Sequence, residues 1–159
     1  MKTETVNSQA EDSVNTETEE ELSLWSFSLS GVIGGLGAGI LNNIWIMAFP
    51  YITTYGEDNI PVIDSITVTI LSFAPVFLAA FAYYFMCSKG IARGTKIYVS
   101  LGILVLLGSL YFPLFPQTLE GYLPEEYMSE AFAAFTIPMH IIATAFALVI
   151  IPWFVKSNH

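Results

Sequence analysis

The side chains with the greatest chemical potential in this sequence lie inside long apolar stretches. His140 is four residues from Thr136 and four from Thr144, so these three side chains form one polar stripe if the segment is helical. An ionisable side chain inside a membrane is a functional candidate. A neutral imidazole that is hydrogen-bonded to an Asn or Tyr is the structural alternative, and the sequence leaves both interpretations open.

Two adjacent amides, Asn42 and Asn43, follow a glycine-rich run in the first apolar stretch. Counted at 1.5 Å per residue, they lie about 9 to 10 Å inside the outer end of that stretch, and His140 lies about 13 Å inside the same membrane face. Tyr111 and Asp64 fall in the same outer half. We therefore expect a polar pocket that opens outward, with Asn42 or Asn43 near His140 and with Thr136, Thr144, Tyr111 and Asp64 as the other candidate residues.

Asp64 lies at the beginning of the second apolar stretch, beside Ser65 and Thr67. A carboxylate at this place can cap a helix N-terminus, where the helix dipole favours its charge. A proton-relay role is the alternative. The sequence favours the cap.

Other catalytic patterns are missing from the sequence. The only cysteine is Cys87, there is no CxxC or HExxH, and a second intramembrane histidine for haem ligation is absent. There is no GxSxG and no Ser-His-Asp arrangement. We therefore predict no catalytic residue, no metal site and no cofactor, and we consider an enzyme the least favoured class.

Glycines recur every four residues in the first stretch, at Gly31, Gly35 and Gly39. Two overlapping GxxxG units on one face are typical of closely packed membrane helices. Packing against another span of the same chain is the favoured interpretation. The alternatives are the seam of a homo-oligomer and a lumen-facing polar site.

These candidate residues must be positioned by membrane helices. Of the 159 residues, 54% are hydrophobic and only 12% are charged, and the mean hydropathy is +0.61. With five Lys and Arg against 14 Asp and Glu, the chain has no basic face for a nucleic acid. Four apolar stretches near the ~20 residues that a membrane crossing needs predict an all-α, four-transmembrane-helix bundle in the lipid bilayer. They cover about residues 25–49, 62–87, 97–115 and 131–155.

Residues 1–21 differ from the membrane domain of residues 22–159. They hold seven acidic residues, one lysine and no aromatic residue, which predicts a disordered acidic tail. Every Lys and Arg falls at a terminus or in the loop between the second and third spans. The positive-inside rule therefore predicts that both termini are cytoplasmic in a multi-pass protein of the inner (plasma) membrane.

The first span reads GGLGAGILNNIW and the last reads IPMHIIATAF, with Met139 beside His140. Together with the proline-bearing second span and the short basic loop, this combination resembles a family of uncharacterised bacterial four-helix integral membrane proteins, classed as a domain of unknown function. The resemblance covers about residues 25–155. It implies a bacterial inner-membrane protein, marks Asn42 or Asn43 and His140 as shared positions, and implies no activity.

Two functional hypotheses follow. The first is a non-enzymatic membrane protein with close helix packing, or with self-association through the glycine face. The second is a small transporter or ligand-binding membrane protein that uses the Asn/His pocket. The sequence identifies no small-molecule ligand.

Overall fold

The computed structural model describes residues 23–54, 64–88, 90–115 and 130–157. The predicted acidic tail, residues 55–61 and 116–129 of the two predicted outer loops, Lys89 and His159 lie outside these ranges. The described residues form an all-α bundle, as predicted. Four of its helical stretches are long and apolar enough to cross a membrane, namely Leu24–Ile52, Ser65–Cys87, Ile91–Leu114 and Ala131–Ser157.

The first two spans are single helices and the other two are interrupted. Helix α1 covers Leu24–Ile52 and α2 covers Ser65–Cys87. The third span consists of α3, Ile91–Ser109, and the short α4, Tyr111–Leu114. The fourth span consists of α5, Glu130–Ala145, a π-helical segment, Phe146–Ile150, and α6, Ile151–Ser157.

The boundary of the third span differs from the prediction. The helix begins at Ile91, so Arg93 and Lys96 lie on α3, whereas the sequence placed them in a loop. Gly90, at φ 112°, makes the turn immediately before it. Lys and Arg are good helix formers, and their long side chains can reach the membrane surface from a helix. The predicted span therefore begins where the basic residues end, whereas the helix itself begins earlier, at Ile91.

Helices α1 and α2 form a closely packed antiparallel pair. A Cβ atom at Gly31 would lie 2.8 Å from Ala80, one at Gly35 would lie 2.7 Å from the Phe73 ring, and one at Gly39 would lie 3.2 Å from Thr69. As the residue number on α1 rises from Gly31 to Gly39, the number of the contacted residue on α2 falls from Ala80 to Thr69. The glycine face therefore packs against the neighbouring helix of the same chain.

The fourth span lies antiparallel to α1 on its other side. The Trp45 indole N–H donates to the carbonyl of Phe135 over 2.9 Å. The Asn42 amide donates to the carbonyl of Met139 over 3.4 Å. Phe49, which is fully buried, meets the Phe135 ring edge-on. This end of α1 is thus fixed to α5 by both polar and aromatic contacts.

A π-helical segment interrupts the fourth span just before Pro152. Proline has no N–H and its ring clashes with the carbonyl four residues earlier, so a regular α-helix is disfavoured here. The N–H of Ile151 bonds to the carbonyl of Phe146, five residues back, which leaves the Ala147 carbonyl without its α-helical donor. The Tyr98 hydroxyl donates to that carbonyl over 2.9 Å. The irregular backbone is therefore satisfied by α3.

The basic side chains that the structure describes gather at one end of the bundle. Arg93 and Lys96 are exposed on the first turns of α3, and Lys156 is exposed on the last turn of α6. Val155 and Cys87, which lie beside these ends, belong to one buried cluster. A membrane orientation with this end in the cytoplasm stays a prediction of the positive-inside rule.

Asp64 caps the N-terminus of α2. Its carboxylate accepts hydrogen bonds from the backbone N–H groups of Ile66 and Thr67 at 3.0 and 2.9 Å, and from the Thr67 hydroxyl. The Thr67 side-chain hydrogen bond is the main cause that lowers the pKa of Asp64 from its ordinary value of 3.8. This exposed carboxylate therefore works as a helix cap in the structure.

Replacing Asp64 tests the cap. We expect Asp64→Ala to lower the thermal midpoint at neutral pH and Asp64→Asn to retain most of it, because asparagine also caps helices. Since folding lowers the pKa, the charge stabilises the protein above pH 3.8. That contribution fades as the pH falls through the lowered value. Thermal melts across this range check both points. Equal midpoints for Asp64→Ala and wild type at neutral pH would contradict the cap.

Candidate functional site

A lateral groove runs between α2, α3 and the fourth span. It has a volume of about 820 Å³, within the range of small-molecule sites. Its lining on α2 extends from Val68 to Met86, which corresponds to about 27 Å along the helix. Leu71, Leu78 and Val105 line it and are each at least 65% exposed. The groove is therefore open along the side that faces the membrane.

Asn42 lies at the floor of this groove. It is 2% exposed, and its amide N–H groups donate to the Ser72 hydroxyl at 2.8 Å and to the Met139 carbonyl at 3.4 Å. Its carbonyl oxygen, Oδ1, has no hydrogen-bond partner among the described residues. A buried acceptor without a donor costs roughly 1–3 kcal/mol. Asn42, one of the lining residues, thus has a buried acceptor to which no described residue donates.

The polar stripe of the fourth span faces the same groove. Thr136, His140 and Thr144 all line it. The Thr136 hydroxyl donates to the Phe132 carbonyl, one turn earlier. The structure gives the His140 ring and the Thr144 hydroxyl no hydrogen bond to any other described residue. The two groups remain available to a bound molecule.

The rest of the groove is apolar and uncharged. Small side chains form much of its wall: Ala79 and Ala82 on α2, and Ala143 and Ala147 on the fourth span. Apart from His140, none of the described residues that line it is an acidic or basic side chain. In the part of the chain that the structure describes, no three His, Cys, Asp or Glu side chains gather where they could hold a metal ion. The arrangement can bind an uncharged molecule through few polar contacts and a large apolar surface.

The other predicted pocket residues lie elsewhere. Asn43 donates to the Thr69 hydroxyl at 2.9 Å and to the Gly39 carbonyl at 2.8 Å, in the contact between α1 and α2. Tyr111, on α4, contacts the Phe115 ring at a tilted angle, and Asp64 is the α2 cap. None of these three lines the groove. Of the two adjacent amides, Asn42 is the one that shares the groove with His140.

Two groove residues, Ser72 and Tyr98, were not predicted from the sequence. Ser72 pairs with Asn42, and Tyr98 supports the π-helical segment. A single serine in an apolar helix carries no distinctive pattern, and a tyrosine near the beginning of a predicted span is typical of an interfacial anchor. Pro152 was the available signal for Tyr98, because a proline inside a span leaves a carbonyl that needs a donor.

Comparison of the chain with protein-family models, with curated proteins and with solved structures found no match. The resemblance to bacterial four-helix membrane proteins therefore stays a prediction. The functional argument depends on the groove and its residues.

Proposed function

We propose that this integral membrane protein binds an uncharged amphipathic small molecule that enters the lateral groove from the bilayer. The observation that carries the proposal is the placement of Asn42, His140 and Thr144 in one elongated apolar groove, with unused hydrogen-bonding capacity on all three. Polar groups inside a membrane protein are ordinarily satisfied by neighbouring helices. Here the missing partner is a molecule in the groove.

The glycine face supports this choice over self-association. Gly31, Gly35 and Gly39 are buried against α2 within the same chain, so this face is already occupied in the monomer. A homo-oligomer seam on these glycines would require α2 to leave. The close packing of α1 then has a structural role: it fixes Asn42 at the floor of the groove.

Filling the groove tests the proposal. Ala143 lines the groove, whereas Ala145, on the same helix, is exposed and does not line it. In lipid nanodiscs, C16 chains that carry a diazirine should label groove residues on illumination, and excess unlabelled chain should suppress that labelling. We expect Ala143→Phe to reduce this saturable labelling by about an order of magnitude, because the ring occupies the space of the chain. Ala145→Phe should leave it unchanged.

Circular dichroism melts show whether the Ala143→Phe protein is folded. A folded Ala143→Phe protein that is labelled as strongly as the wild type would contradict the groove as a binding site. Labelling that excess chain does not suppress in the wild type would also contradict it, because contact with bulk lipid is not saturable.

A further inference from the structure

The groove divides into a short polar part and a long apolar part. Ser72, which contacts Asn42, lies near the beginning of the groove lining on α2. From Ser72 to Val68 the lining covers only about 6 Å, whereas from Ser72 to Met86 it covers about 21 Å. Asn42 therefore lies toward one end, and a long, mainly apolar channel leads away from it, in which the Tyr98 hydroxyl already donates to the Ala147 carbonyl.

The polar part of the groove presents a defined set of hydrogen-bonding groups. Asn42 Oδ1 is a buried hydrogen-bond acceptor to which none of the described residues donates. His140 and Thr144, on the facing helix, can each donate or accept. A group that both donates and accepts, such as a hydroxyl, would satisfy Asn42 and one of these partners together. A group that only accepts, such as an ether, would leave Asn42 Oδ1 unpaired.

The groove also selects against charge. The described residues that line it include no Lys, Arg, Asp or Glu, and His140 is the only one of them that can carry a positive charge. A phosphate or carboxylate placed there would lose its hydration and gain no permanently charged partner, and charging the imidazole to pair with it would cost further desolvation free energy. The exposed basic side chains Arg93, Lys96 and Lys156 lie at the end of the bundle and do not line the groove. An anionic phospholipid head group is therefore a poor occupant of the polar part.

We propose that the ligand is a neutral single-chain lipid with a hydroxyl head group. Its hydroxyl binds between Asn42 and His140, and its chain lies along α2 toward Met86. A volume of 820 Å³ spread over about 27 Å accommodates one hydrocarbon chain along most of the bilayer core. This inference rests on the proposed function, in which the groove is a binding site. It adds the chemical class of the ligand and the direction in which the ligand's chain lies.

The test compares three probes that share one chain. Hexadecanol, its methyl ether and palmitate each carry a diazirine at the far end of the chain, and saturable labelling is measured in nanodiscs. We expect hexadecanol to label residues near Met86 at about tenfold lower concentration than either other probe, because one satisfied hydrogen bond is worth up to about this factor.

Two amides of α1 provide matched variants. Asn42 and Asn43 each donate to a hydroxyl of α2, over 2.8 and 2.9 Å, and each has an unpartnered Oδ1, but only Asn42 lines the groove. We expect Asn42→Ala to remove the preference for hexadecanol over its ether and Asn43→Ala to retain it. The comparison of probes on the wild-type protein needs no variant to fold.

The outcomes separate the two proposals. Equal saturable labelling by hexadecanol and its ether overturns the hydroxyl head group and leaves the groove as a binding site. Palmitate binding as tightly as hexadecanol overturns the neutral head group. Labelling near Val68 in place of Met86 overturns the direction of the chain. If none of the three probes labels the groove saturably, the proposed function itself fails.

Discussion

Replacing Gly94 with alanine is expected to lower the free energy of unfolding by about 3 kcal/mol. A Cβ atom at this position would lie 2.5 Å from the Met86 carbonyl oxygen and 2.6 Å from Cys87 Cα. These are backbone atoms at the end of α2, so they cannot rotate away as a side chain could. The two helices would have to separate at the turn that joins the second and third spans. Reversible unfolding in mixed micelles measures the change.

Gly108→Ala is the matched control for this substitution. Gly108 also lies in α3, but a Cβ atom there would lie within 4 Å of no described atom outside its own stretch of helix. We expect the variant to be neutral or to gain up to about 1 kcal/mol from the better helix propensity of alanine. Similar losses at both positions would indicate that the close approach of α2 and α3 at Gly94 does not determine stability.

Gly35→Leu should have an effect of similar size, at about 3 kcal/mol, and it addresses the glycine face directly. A Cβ atom at Gly35 would lie 2.7 Å from the Phe73 ring and 3.1 Å from the Phe73 carbonyl oxygen. Leucine would therefore force α1 away from α2 and move Asn42 out of reach of Ser72. The loss should appear as a lower stability of the monomer.

The dependence on protein concentration distinguishes packing from self-association. If the glycines pack within one chain, the loss caused by Gly35→Leu is the same at every ratio of protein to detergent. Gly108→Leu, at a site open to its surroundings, serves as the control for added bulk. An oligomer that dissociates in Gly35→Leu while monomer stability is unchanged would support the homo-oligomer seam instead.

The length and apolar composition of four stretches made the helices predictable from the sequence. Stretches of apolar residues leave the backbone no partner but itself, so the four spans follow from composition and length. The repeat of Gly31, Gly35 and Gly39 likewise indicated a closely packed face. The ends were less predictable: α1 continues past Pro50 to Ile52, because a proline in the last turn removes only one hydrogen bond.

The groove depends on the rotation of each helix about its own axis, which no local sequence pattern indicates. Asn42 and Asn43 are adjacent, and a rotation of about 100° decides which of them points to the groove and which to the contact with α2. That rotation is fixed by pairs such as Asn42 with Ser72 and Trp45 with Phe135, whose partners are remote in the chain. The close contact at Gly94 was likewise not predicted, because this glycine belongs to no repeat.

The antiparallel pair of α1 and α2 also has a consequence for the order of assembly. Its contacts join residues much closer in the chain than those between α1 and the fourth span, so closing the first hairpin loses less chain entropy. Membrane helices insert first and associate afterwards. Helices α1 and α2 can therefore dock while the remainder of the chain is still being synthesised. The third and fourth spans then close against a preformed surface on which Asn42 is already in place.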